Sequence, residues 1–118
     1  MGFAEAADFL RIFKGCLELG RYVIADRQDN SQFLIDSGML VEERREVLFS
    51  IKPENYISGP DKHHTEHNTQ VWIFGQHWQD LEIYIKIGLK EVKMGHSAVV
   101  ISFHKAERKI RYPLKQGD

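Results

Sequence analysis

The chain has 118 residues, 42% of them hydrophobic, and a formal net charge of −1 with histidine neutral. That length and composition suit a single domain over residues 1–118 with a real core; the near-neutral balance excludes a global basic field that would draw nucleic acid to any part of the surface. No stretch approaches the ~20 apolar residues of a membrane span, no signal-peptide pattern opens the sequence, and the lone Cys16 excludes an internal disulfide framework. The expectation is a cytoplasmic protein without membrane contact.

From Phe3 to about Leu19 the apolar residues Phe3, Ala6, Ala7, Leu10, Phe13 and Leu17 recur every three or four positions, which predicts a helix with one buried stripe. Gly20 is placed to stop it, and Cys16 reads as a small core residue within the same pattern. Tyr22-Val23-Ile24 reads as a short strand or an extended connector. Asp29-Asn30-Ser31 offers capping oxygens for a short helix from Gln32 to Asp36, closed by Ser37-Gly38. A third helix starts near Val41, carries Val47, Leu48 and Ile51, and ends before Pro53.

Residues 53–69 form the longest polar segment, where Pro53, Gly59 and Pro60 argue against a continuous helix or a central strand. This predicts a loop that is either functional or disordered, and the natural candidate for a lid or binding edge. It holds His63, His64 and His67; three histidines so close can chelate zinc or nickel, but their spacing fits no standard zinc pattern and no cysteine accompanies them. No metal or other cofactor is therefore expected. Val71 to Phe74 predicts a strand, Gly75 to Asp80 a turn, and Lys109-Ile110-Arg111-Tyr112 a last edge strand. Helices followed by a strand meander predict an α+β domain, its N-terminal helices packed on one face of an antiparallel β-sheet and its other face uncovered.

The segment from Glu82 to Glu107 carries the chemistry. It reads as two antiparallel strands, and side chains along a strand alternate between faces. Ile83, Ile85, Ile87 and Leu89 then form one row and Tyr84, Lys86, Gly88 and Lys90 the other. On the following strand Val99, Ile101 and Phe103 share a face, opposite Val100, Ser102 and His104. Packing both aliphatic rows on one core gathers Tyr84, Lys86, Ser102 and His104 on the other side. That face is either a plain wetted sheet surface or an acid–base site for an anionic substrate. Lys105, Arg108, Lys109 and Arg111 crowd around the end of the His104 strand and would hold a phosphodiester. Imidazole titrates near neutrality and serves as acid or base, and RNA brings its own nucleophile in the 2′-hydroxyl, so neither a protein nucleophile nor a metal is required. Trp72 and Phe74 share a face and are candidates either for stacking on bases or for the core.

Five short motifs in order carry a family resemblance: Glu54-Asn55-Tyr56 with Ser58-Gly59-Pro60, Val71-Trp72-Ile73-Phe74-Gly75, Tyr84-Ile85-Lys86, Ile101-Ser102-Phe103-His104 with Ala106-Glu107, and Tyr112-Pro113. Together they resemble the MqsR-family toxins of type II toxin–antitoxin systems. The resemblance implies a RelE-like fold, metal-independent cleavage of mRNA, and neutralisation by a cognate proteic antitoxin, which would carry a helix-turn-helix. It puts the family's catalytic tyrosine on Tyr84 and its late basic residue on His104, where the founding member has lysine; Lys86 joins them as a catalytic residue that contacts the phosphate in the transition state. RNA contacts would then fall to Lys105, Arg108, Lys109, Arg111, Trp72 and Tyr56. The alternative within the same fold is a non-catalytic protein-binding module; the discriminating feature is whether Tyr84 and His104 lie within reach of one phosphate.

Overall fold

A computed structural model describes residues 2–62 and 68–115; for Lys62 it describes the backbone alone. Helix α1 (Phe3–Glu18) buries Ala6, Phe9, Leu10, Phe13, Cys16 and Leu17 along one stripe. Phe3, expected in that stripe, is exposed at the helix start. Strand β1 (Tyr22–Ile24) leads into α2 (Gln28–Ser37) and α3 (Val41–Ser50). A 3-10 turn at Pro53–Asn55 precedes β2 (Tyr56–Lys62), β3 (Thr69–Trp78), β4 (Leu81–Val92) and β5 (Gly95–Lys105). The sheet order is β1-β5-β4-β3-β2. Three helices pack against this five-stranded sheet, so the molecule is α+β as expected. The sheet is mixed rather than antiparallel, because β1 runs parallel to β5. Among the described residues no helix is long and apolar enough to cross a membrane.

Helix α2 begins four residues before its expected start, and Asn30 sits inside its first turn instead of capping it. The helix closes at Gly38, which has φ +76° and donates its N–H to the Leu34 carbonyl at 3.0 Å. Left-handed backbone costs an L side chain about 1–2 kcal/mol. Gly38→Ala should therefore lower stability by about 1 kcal/mol in urea denaturation, although nothing lies within 4 Å of a Cβ built there; an unchanged midpoint would refute this.

Three expectations along the sheet need correction. The supposed loop from residue 53 contains strand β2, whose register with β3 shifts twice between Tyr56 and Asp61. An edge strand tolerates Pro60 because the missing N–H has no ladder partner to lose. Strand β3 continues through Gly75 to Trp78, leaving only Gln79 and Asp80 as the turn. Lys109–Tyr112 is not a strand; it belongs to a strap after β5 that crosses part of the face expected to be uncovered. His63, His64 and His67 lie outside the described residues.

The alternation on β4 is as expected, with Ile83, Ile85 and Ile87 fully buried and Leu89 nearly so. On β5 it breaks. Lys86 pairs with Ser102 but Ile87 pairs with Val100, so Ile101 is an extra residue, a β-bulge. A bulge reverses the facing of everything on one side of it. Ala98 and Val100 thereby join Ile87 and Leu89 in the core, while Phe103 still faces the core opposite Ile85. Val100 is thus buried and Val99 half-buried, the opposite of the expected assignment.

Asn30 explains why the bulge is stable. Its Nδ2 donates to the carbonyls of Ile101 (3.0 Å) and Ala25 (3.2 Å), and its Oδ1 accepts from the Phe103 N–H at 2.9 Å. Strand β1 ends at Ile24, and Ala25 makes the last backbone bond to Val100. Beyond that point a side chain from α2 serves β5 in place of a neighbouring strand, which satisfies buried backbone groups as they require.

Candidate active site

The bulge leaves Ser102 and His104 on the same side of the sheet as Lys86 and Tyr84, paired Lys86 to Ser102 and Tyr84 to His104. Directly opposed residues of antiparallel strands have Cβ atoms ~5 Å apart. Here the two rings lie almost parallel, with centroids 5.4 Å apart and planes 19° from one another. The two rings thus share one stretch of the sheet surface. Both side chains are half-buried.

His104 Nδ1 lies 3.1 Å from the Lys105 carbonyl oxygen. A carbonyl only accepts, so the contact is a hydrogen bond when Nδ1 carries the proton; the neutral ring then keeps a lone pair on Nε2. Desolvation raises the Tyr84 phenol above its ordinary range. At neutral pH Tyr84 is therefore a hydrogen-bond donor and not a phenolate base.

Tyr84 and His104 open into a cavity of about 550 Å³, walled by Ile57 of β2 and by Arg108, Lys109 and Arg111 of the strap. Those three cations are exposed and converge on the site as expected. Lys105 does not. It pairs with Ile83 and so faces the helix side of the sheet, where it borders a second hollow with Asp29 and Asp36 of α2, one that His104 also lines. Lys86, expected as a catalytic contact, stands in the same row as Tyr84, half-buried, but does not line the cavity, because it lies one pleat further along β4. Arg27 reaches Ser102 Oγ with its Nη1 at 3.4 Å.

Trp72 and Tyr56 are not placed to bind bases. Trp72 is 3% exposed and its ring stacks on Phe9 at 4.9 Å; Tyr56 is 7% exposed and meets Trp72 edge-on at 5.7 Å. The Tyr56 hydroxyl donates to the Gly59 carbonyl at 2.8 Å, so its polar end is also occupied. Phe9 from α1 covers what would have been the stacking face, a contact between residues 63 positions apart. No local pattern announces it.

Other participants were not legible in the sequence. Ile57, Arg27 and Asn30 reach β4 or β5 from distant parts of the chain, and nothing in their spacing marks them. Glu82 is similar. Its carboxylate accepts from the Ile110 N–H at 3.0 Å and the Tyr112 hydroxyl at 2.9 Å, and lies 3.4 Å from His77 Nε2. Burial first, then the bond and the charge of Glu82, drive the Tyr112 phenol far above its ordinary range. Among the described residues no group of three His, Cys, Asp or Glu side chains is arranged to hold a metal ion.

No protein-family model, curated protein or solved structure matches this chain. What the arrangement can do chemically follows from its own groups: an imidazole, a neutral phenol donor beside it, and three cations with one carboxylate, Glu107, around an open cavity. That combination suits proton transfer at a bound phosphodiester.

Proposed function

We propose that this protein is an endoribonuclease toxin of a type II toxin–antitoxin pair, a RelE-like domain that cleaves mRNA without a metal. The observation that carries this reading is the stacked Tyr84–His104 pair on the floor of a cavity walled by Arg108, Lys109 and Arg111. The RNA 2′-oxygen attacks the adjacent phosphorus as its proton passes to a base. The bond from phosphorus to the 5′-oxygen breaks, and that oxygen takes a proton. The products are a 2′,3′-cyclic phosphate and a 5′-hydroxyl. His104 acts through Nε2 as the base for the first transfer or, once protonated, as the acid for the second. Tyr84 donates to a non-bridging oxygen and orients the phosphate. The cations of the strap offset the charge that builds on the phosphorane, and Lys86 supplies a contact further along the bound strand.

A toxin needs restraint by a partner made in the same cell, and we include a proteic antitoxin in the proposal. A partner presenting an acidic segment would complement the basic strap and associate with salt-dependent speed. The direct test is to incubate purified protein with a defined RNA in chelator and to map the ends. Cyclic phosphate ends and growth arrest on induction, relieved by the protein encoded next to it, are expected. Intact RNA and normal growth would sink the reading.

The split between Lys105 and the strap gives a finer expectation. Each phosphate contact to a single strand contributes about 0.7 to the slope of log affinity against log salt. Arg111→Ala should lower that slope by about 0.7 for a non-cleavable 2′-O-methyl RNA, whereas Lys105→Ala should leave it unchanged. Equal losses from both variants would contradict the placement of Lys105 outside the site.

A further inference from the structure

The strap after β5 is held by a carboxylate that the chemistry of the cavity does not use. Glu82 takes one donor from the strap's backbone, at Ile110, and one from its side chains, at Tyr112. Residues 106–112 have no helix or strand of their own; Ala106 still donates its N–H to the Glu82 backbone carbonyl at 2.8 Å, and the two carboxylate bonds tie down the strap further on. Beneath them β3 is bare. A Cβ at Gly75 would lie 2.5 Å from the Tyr112 hydroxyl oxygen and 2.9 Å from Ile110 Cδ1. Glycine at this position lets the strap lie directly on the sheet. Arg111 sits between the two anchored residues, and Arg108 and Lys109 immediately precede them.

We infer that Glu82 is a positioning residue: it latches the strap, which lies over Gly75, across the sheet and so holds Arg108, Lys109 and Arg111 as the phosphate-binding wall of the Tyr84–His104 cavity. The ligand in this inference rests on the ribonuclease reading; the latch rests on the bonds alone. An unlatched strap would have to be ordered at the moment RNA binds, and that ordering weakens affinity. Glu82 itself touches no reacting group and acts on the chemistry only through the cations of the strap.

The test uses the full chain as wild type, Glu82→Ala, Glu82→Gln and Gly75→Ala, with thermal melts to establish that each folds. Glu82→Ala removes the acceptor, while Gly75→Ala displaces Tyr112 and Ile110 without altering any charge. Three quantities are read: hydrogen exchange at the Ile110 amide, salt-dependent affinity for a 2′-O-methyl RNA, and the single-turnover cleavage rate at saturating RNA. Glu82→Ala and Gly75→Ala should each speed Ile110 exchange roughly tenfold or more, as loss of a bond to a charged acceptor implies. Both should lower the salt slope by about 2, for three phosphate contacts at about 0.7 each. The saturated cleavage rate should fall as well, because the same cations offset the charge on the phosphorane, and Glu82→Gln should retain most of it. Glu82→Gln, whose amide oxygen still accepts from Ile110 and whose amide nitrogen can donate to Tyr112, should keep most of the affinity. Unchanged Ile110 exchange in Glu82→Ala overturns the latch. Faster exchange with undiminished affinity and slope overturns the wall. A wild type that neither binds nor cleaves RNA overturns the ribonuclease reading and the wall with it, and Ile110 exchange then reports on the latch separately.

Discussion

His104→Ala is expected to slow RNA cleavage by about 10²–10⁴-fold, the usual cost of removing a general acid or base. The imidazole is half-buried and stacked on Tyr84; in the tautomer that bonds the Lys105 carbonyl through Nδ1, Nε2 is the nitrogen left for proton transfer. Tyr84→Phe should cost less, about 10–100-fold. The phenol is lost only as a donor to a charged oxygen, an interaction of about 1.5–3 kcal/mol. Its ring remains to support His104. The measurement is the initial rate on one defined RNA, with product ends mapped and each variant's fold checked by a thermal melt. Wild-type rates in both variants would remove Tyr84 and His104 from the mechanism. A Tyr84→Phe loss as deep as that of His104→Ala would mean that the phenol takes part in proton transfer, against its raised pKa.

Asn30→Ala should destabilise the protein by about 2–4 kcal/mol, the largest stability loss expected from a single polar substitution here. Asn30 is 2% exposed and makes three hydrogen bonds, two of them to the bulged segment of β5. Removing it leaves the Ile101 carbonyl and the Phe103 N–H buried without that partner, at about 1–3 kcal/mol for each such group. Against a total of roughly 5–15 kcal/mol this is a severe loss. Asn30→Asp should be at least as costly, because it sets an oxygen against two carbonyl oxygens. Urea denaturation at constant slope reads the change directly. Cleavage should fall as well, since the bulge that brings His104 opposite Tyr84 loses its support. A loss below about 0.5 kcal/mol would show that the bulge holds without Asn30.

The stacked pair and the wall around it differ in how they are encoded. Tyr84, Lys86, Ser102 and His104 share a face because side chains alternate along a strand, a rule local to a few residues and legible in the linear pattern. The apolar rows of β4 and the stripe of α1 follow from the same kind of local periodicity. These the sequence determined by itself. The bulge at Ile101 was not legible, because it depends on Asn30 of α2 reaching across 71 positions to the Ile101 carbonyl. It changed the facing of Val99 and Val100 but not of His104, which is why the candidate pair emerged correctly from an alternation that was wrong further up the strand. Trp72 and Tyr56 were expected in the site and lie in the core, because Phe9 covers the face of Trp72 and Tyr56 packs edge-on against Trp72 and Phe74. Lys105 was grouped with Arg108, Lys109 and Arg111 by closeness in sequence, yet one step along a strand reverses a side chain's direction. The strand beneath Gly59 and Pro60 was hidden by residues that local preference assigns to loops, and an edge position made it tolerable. The strap's path across β4 and β3 depends on Glu82 and on the empty space above Gly75. Tertiary structure alone decided these, because each joins residues whose only relation is that folding brings them together.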